Sequence, residues 1–217
     1  MSGPRLPRGA PGFSLLLVTD RKASPVPLPE AVAAALGAAP PGVAAVQIRE
    51  KDLGGRALAE LARALQPLCR ARGAPLFVND RADVALAVGL SGVHLAGTSI
   101  SAADARELLG GAAIVGVSCH SRDEVAAAAA AADYATFGPI FDTPSKRAYG
   151  PPKGPAALAE AAALGLPLYA LGGVRPENVV GITGARGIAA LSCGLGAPDP
   201  AEAVRRLWAA WSALSGP

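Results

Sequence analysis

The chain has 217 residues, enough for one large domain or two small ones, and its 20 Lys and Arg against 17 Asp and Glu leave a formal charge of +3. With no block of consecutive positives this is not a nucleic-acid signature, whereas a few cations focused in a cleft suit phosphorylated small molecules. The hydrophobic fraction of 51% is inflated by alanine, and its longest run, Val125 to Ala132, is too short to span a bilayer.

In chain order, residues 1–12 hold Pro4, Pro7 and Pro11 without periodicity and read as a flexible tail ahead of a domain over 13–217. The apolar stretch Leu15 to Val18 ends at Asp20, strand length and not a secretory signal, so a cytoplasmic location is expected. Strands are predicted over 14–20, 43–50, 75–80, 92–97, 113–120, 133–140, 167–174 and 187–194, each a short apolar or β-branched run bounded by turn residues. Helices are predicted over 28–37, 54–72, 81–88, 101–109, 121–132, 154–164, 175–184 and 199–214, with Asp199 and Pro200 as N-cap and first residue of the last. Eight βα units in one domain point to a closed (β/α)8 barrel. An open doubly wound sheet would place a glycine-rich turn after its first strand, where "LVTDRKASP" has none. Trp208 and Trp211, three apart on the last helix, read as packing anchors.

Cys69, Cys119 and Cys193 are odd in number and widely spaced, which argues against a disulfide framework and a zinc site. Cys119 and His120 would point to opposite faces of a strand and so do not form a nucleophile–base pair.

Barrel chemistry lies where strands end and βα loops begin. Gln47, Arg49 and Lys51 in "VQIREKD" alternate onto one face, where buried cations call for an anionic ligand; the plainer alternative is a surface pairing of Arg49 with Glu50 or Lys51 with Asp52. Asn79 and Asp80 close the third strand, and Asp80 serves equally well as a helix N-cap or as a ligand for a hard cation such as magnesium. His94 reads as a hydrogen-bonded core residue. His120, at its strand's end with Ser118 two residues before it, has the pKa range of a general base. Thr143, Ser145 and Lys146 set two hydroxyls and an ammonium within four positions, an anion grip or a solvated loop. Gly172 and Gly173, with Ser192 and Gly194, end the seventh and eighth strands, where barrels often bind phosphate through backbone amides.

Taken in order, "QIREKD", "FVNDRADVALAVGLSGVHL", "GVSCHS", "DYATFGPIFDTPSK", "ALGGV" and "ALSCG" resemble the thiamine phosphate synthase/TenI family over nearly the whole chain after the tail. The resemblance implies a (β/α)8 barrel that joins hydroxymethylpyrimidine diphosphate to a thiazole phosphate and releases pyrophosphate with magnesium. It implies Gln47, Arg49, Lys51 and Asn79 on the pyrimidine and its diphosphate, and Asp80 on magnesium. Ser118 and Lys146 would face the pyrophosphate, Thr143 and Ser145 the thiazole, and Gly173 with Ser192 the thiazole phosphate.

One position departs from that pattern. "GVHLAGTSISAADAR" places Ser99 where the synthases have a second acid for magnesium, which should weaken metal binding and looks more like the TenI branch. That branch includes a thiazole tautomerase, for which His120 would be the acid/base; Gln47, Lys51 and the Thr143/Ser145 pair suit the synthase better. The synthase is the first expectation, the tautomerase the second, and a non-catalytic barrel that binds thiamine phosphate the third. The expected partners are phosphorylated pyrimidine and thiazole small molecules, with no nucleic acid and no membrane, and the sequence leaves a homo-oligomer open.

Overall fold

A computed structural model describes residues 11–143, 147 and 150–215. Most of the expected tail, residues 1–10, and the expected site residues Ser145 and Lys146 lie outside the described residues. The strands are β1 (Leu15–Val18), β2 (Ala44–Ile48), β3 (Leu76–Asn79), β4 (Gly92–Leu95), β5 (Ile114–Cys119), β6 (Tyr134–Phe137), β7 (Leu168–Leu171) and β8 (Gly187–Ala190). They pair in sequence order, all parallel, and β8 returns to β1 to close the barrel. Between and after them run α1 (Leu28–Gly37), α2 (Gly55–Ala71), α3 (Ala82–Val88), α4 (Ala102–Leu109), α5 (Arg122–Ala128), α6 (Gly154–Ala162) and α7 (Pro200–Ser215).

All eight predicted strands form, each shorter than its predicted span because the pairing stops before the loop residues. The helix predicted over 175–184 does not form: the chain makes only one 3₁₀ turn, Val179–Gly181. Its local chemistry favours a turn. Asn178 accepts from the Arg175 amide at 2.8 Å and donates to the Gly173 carbonyl at 2.8 Å, so its side chain closes a loop on itself. The helix predicted to residue 132 stops at Ala128, and Asp133 instead accepts from the Val115 amide and pairs with Arg106 beneath the barrel.

Alternation along the strands separates two cores. Leu15 and Leu17 face outward and pack with Val46, Ile48, Val78 and Val93 against the alanine-rich helices, whose small side chains let them sit close to the sheet. Leu16, Val18, Ala45 and Ala189 face inward, where Phe13, Phe77, Tyr134 and Tyr169 fill the N-terminal end of the lumen. Phe13 and Tyr169 stack with centroids 4.8 Å apart, Tyr134 meets Phe13 edge-on at 5.6 Å, and the Tyr169 hydroxyl donates to the Phe13 carbonyl at 2.7 Å. The floor of the barrel is therefore dry and aromatic, and any ligand must enter at the opposite, C-terminal mouth. Trp211 is buried on α7, which packs against α1, and Trp208 is partly buried against the same core, as packing anchors should be.

Glycines on the inner face make room for those rings. A Cβ on Gly116 would lie 2.2 Å from Tyr134 Cζ. Gly116→Ala should thus overpack the lumen and cost about 2 to 3 kcal/mol in urea-induced unfolding; a loss below about 0.5 kcal/mol would mean the Tyr134 ring moves aside at little cost.

Candidate active site

The polar residues nearest the aromatic floor are Gln47 on β2, Asn79 on β3, His94 on β4, Ser118 on β5 and Thr136 on β6, inward-facing positions one step above the rings. Gln47 donates to Asn79 Oδ1 at 2.9 Å, and Asn79 donates through Nδ2 to Asp80 Oδ2 at 2.6 Å. Asp80 Oδ1 accepts from the Ala96 amide at 2.8 Å and from the Ser99 hydroxyl. These four side chains form one hydrogen-bonded line around the mouth from β2 to the loop after β4.

Asp80 is not the N-cap of α3. That position falls to Arg81, and the Asp80 carboxylate, on a backbone with φ of 62°, turns away from the helix towards the β4 loop. The positive φ places a non-glycine residue in the sparsely occupied left-handed region, strain that a purely structural cap would have no need to bear. With Oδ1 accepting two hydrogen bonds and Oδ2 one, a lone pair on Oδ2 is left for a ligand. That suits a divalent ion drawing its remaining ligands from water and substrate phosphate, because magnesium is commonly held by one or two carboxylates plus phosphate oxygens. Among the described residues no three His, Cys, Asp or Glu side chains gather into a cage of their own.

The surface pairings weighed for the β2 end do not form. Glu50 is buried and accepts from the Thr19 hydroxyl at 2.6 Å and from the Arg21 amide and guanidinium, while Asp52 pairs with Arg21 and Lys22. Arg49 is held by its backbone, whose amide donates to Thr19 Oγ1 at 2.9 Å, and its guanidinium has no carboxylate partner among the described residues. β2 ends at Ile48, so of the three residues predicted to alternate on one strand face only Gln47 lies on the strand; Arg49 follows it half-buried and Lys51 sits on an exposed turn. The Thr19–Glu50–Arg21 clamp was not read from the sequence: its signal is two acids flanking Lys51 while cations open the β1 loop, a pattern visible only once β1 and β2 are neighbours.

His94 is buried between Tyr134, whose hydroxyl is 3.1 Å from Nδ1, and Ser118, whose Oγ is 3.0 Å from Nε2; Thr136 Oγ1 lies 3.4 Å from Nε2. Burial pushes its pKa down from the usual 6.5 to about 4, with Asp80 opposing and Arg49 assisting, so the imidazole is neutral near pH 7. His120 is exposed at the rim with Nδ1 2.6 Å from the Gly138 carbonyl, an arrangement that leaves Nε2 facing solvent. Cys119, one residue before it, is buried on the opposite face, as alternation requires.

The loop after β6 folds over the end of β7. The Ile140 and Phe141 amides donate to Leu171 and Gly172, and the Thr143 hydroxyl donates to the Phe141 carbonyl at 3.0 Å. A Cβ on Gly172 would be 2.6 Å from Pro139 Cβ, and one on Gly173 2.7 Å from the Asp142 carbonyl, so both glycines are needed for this approach, at φ of 94° and 66°. Arg147 and Asp142 pair across the segment that holds Ser145 and Lys146. The Cys193 thiol, by donating to the Val174 carbonyl at 2.8 Å, ties the β7 and β8 loops together. The Gly173 and Ser192 amides there donate no hydrogen bond among the described residues.

Barrel enzymes put their chemistry at this end of the strands, where among the described residues the Gly173 and Ser192 amides donate no hydrogen bond and the Arg49 guanidinium meets no carboxylate. The thiamine monophosphate synthase family model matches residues 15–193, and the chain belongs to that family. A Geobacter sulfurreducens protein is 47% identical over 91% of this chain and 93% of its own. A Roseiflexus castenholzii protein named thiamine-phosphate synthase is 43% identical over 88% and 85%. Among solved structures, a thiamine phosphate pyrophosphorylase from Pyrococcus furiosus superposes with a TM-score of 0.85 at 31% identity, covering 95% of this chain and 98% of that one. The relatives speak for the synthase branch and give the tautomerase alternative no support. No helix among the described residues is long and apolar enough to cross a membrane.

The lowered pKa of His94 fixes the sign of a pH effect. Between about pH 6.5 and 4 the unfolded chain takes up a proton that the folded chain refuses, so His94's contribution is complete above pH 6.5 and falls as the pH drops through that window, by at most about 3 kcal/mol. His94→Gln should flatten the melting temperature over this range in metal-free buffer; a profile parallel to the parent's would assign the acid loss to carboxylates alone.

Proposed function

We propose that the chain is a thiamine phosphate synthase that joins hydroxymethylpyrimidine diphosphate to thiazole phosphate. The observation that supports this best is the pairing pattern at the β2 and β3 ends: Glu50 and Asp52 are occupied by the β1 loop, so the Arg49 guanidinium is left to an anionic substrate beside Gln47, Asn79 and Asp80. Gln47 Oε1, which has no partner among the described residues, and the Asn79 amide would bind the pyrimidine edge.

In this reading the bond from the pyrimidine methylene to the diphosphate oxygen breaks with its electron pair passing to pyrophosphate, and the thiazole nitrogen lone pair forms the new bond to the methylene. Charge grows on the departing phosphates. Arg49, Lys51, Lys146 and the Ser118 hydroxyl would lie along them as preorganised donors, the arrangement that contributes most where charge develops. Thr143 and Ser145 would face the thiazole, and the open amides at Gly173 and Ser192 would take its phosphate. Magnesium would bind Asp80 Oδ2 and add neutralising charge at the diphosphate. Ser99, whose hydroxyl already donates to Asp80 and accepts from the Ala96 amide at 3.0 Å, would bring no negative charge to the ion. With both substrates phosphorylated, a cytoplasmic location follows from the poor passage of such anions through a bilayer.

Purified protein supplied with both substrates and magnesium should form thiamine phosphate and pyrophosphate in equal amounts; folded protein that forms neither would overturn the reading. Arg49→Ala should lower kcat about 100-fold or more, the scale of losing one preorganised donor, while His120→Ala should stay within about 3-fold. Loss of activity in the His120 variant alone would instead favour proton transfer at that imidazole. Ser99→Asp sets a second carboxylate against Asp80, so the magnesium concentration for half-maximal rate should fall about 10-fold, equivalent to roughly 1.4 kcal/mol. A titration midpoint that does not move would remove Asp80 from the metal site.

A further inference from the structure

Tyr134 lies one layer below the mouth, too deep to touch a substrate, yet it ends a hydrogen-bonded line that reaches the site through His94 and Ser118. Tyr134 is fully buried among Phe13, Phe77 and Tyr169, and among the described residues its hydroxyl meets no polar atom besides His94 Nδ1. A neutral imidazole has one N–H and one lone pair, so the direction of the bond at Nδ1 fixes the direction at Nε2. Were Nδ1 the donor, the phenolic proton would be left without an acceptor in an apolar floor, the costly outcome for a buried hydroxyl. The hydroxyl therefore donates to Nδ1, which puts the imidazole proton on Nε2. At 3.0 Å that proton is given to Ser118 Oγ, with the more distant Thr136 hydroxyl a weaker acceptor.

We propose that Tyr134 is a positioning residue that, through the Nε2–H tautomer of His94, occupies a lone pair of the Ser118 hydroxyl and turns its proton towards the mouth, so that Ser118 acts as a donor to the leaving pyrophosphate. This rests on the synthase reading for its anion, but not for the direction of the hydrogen bonds. Burial, which disfavours the imidazolium, keeps the relay in its neutral form. Ser118 itself is half-buried at the end of β5, where its hydroxyl is within reach of the lumen. The space for the ring is provided by Gly116, where even a methyl group would fall 2.5 Å from the Tyr134 hydroxyl oxygen.

The test uses the full-length protein and two independent readouts. First, ¹⁵N chemical shifts of the His94 ring in the ligand-free protein should report the Nε2–H tautomer in the parent and a mixture or the Nδ1–H form in Tyr134→Phe. A parent in the Nδ1–H form overturns the proposal whatever the activity, even if the variant cannot be obtained folded. Second, Tyr134→Phe should lower kcat about 10-fold with KM for the pyrimidine diphosphate within about 2-fold, as expected for a donor that matters as charge develops. Adding Tyr134→Phe to Ser118→Ala should cost nothing further, because the hydroxyl it orients is gone. A loss that multiplies in the double variant would reduce Tyr134 to a packing residue. If the parent makes no thiamine phosphate, the functional reading fails while the ring shifts still decide the tautomer.

Discussion

A side chain that points into an eight-stranded barrel has nowhere else to go: it packs against the opposite strands, satisfies a polar neighbour, or faces the mouth. In this chain four aromatic rings fill the floor so completely that the next layer, Gln47, Asn79, His94, Ser118 and Thr136, has a dry surface below it and an open mouth above. Polar groups in that layer cannot be hydrated from beneath, so they bond sideways to one another and present what remains upward. The two lines that result, Gln47 to Ser99 on one side and Tyr134 to Ser118 on the other, are the consequence of that one-sided access.

The same economy governs charge. A cation next to a carboxylate in sequence is ordinarily lost to a local pair, and "REKD" invites that outcome. Closure of β1 beside β2 prevents it by bringing Thr19 and Arg21 onto Glu50, and Arg21 with Lys22 onto Asp52. The exposed pairs in this group contribute little to stability themselves. Their effect is on pairing: Glu50 and Asp52 are taken up by the β1 loop, and among the described residues no carboxylate is left on the neighbouring Arg49 guanidinium.

The eight-unit rhythm was legible because the strands are short β-branched or apolar runs separated by amphipathic or alanine-rich stretches, a pattern that local propensity and tertiary packing both favour. Gln47, Asn79, Asp80, Ser118 and Gly173 are expected at the mouth from their position at strand ends, and the structure places them there. What the sequence hid depends on neighbours far apart in the chain. Tyr134 and Tyr169 alternate with outward residues just as Leu16 does, and nothing local says that one phenol finds a backbone carbonyl and the other an imidazole 40 residues away. The helix expected over 175–184 fails for a local reason: the Asn178 side chain ties the Arg175 amide to the Gly173 carbonyl and closes a turn on itself.

Ser99 shows how a departure from a family pattern can be read physically. A second acid beside Asp80 would repel it until a cation arrived, making the metal part of the folded site's charge balance. The serine hydroxyl instead donates to Asp80, so the carboxylate gains a hydrogen bond where a second acid would repel it, and its pull on a cation in the proposed metal site would be the weaker for it. In the proposed synthase reaction more of the work of neutralising a diphosphate would then fall on fixed cations and on hydroxyls that donate to it. In that reading Arg49, which meets no acid among the described residues, and the Ser118 hydroxyl, which the proposed Tyr134–His94 line would orient from below, gain importance.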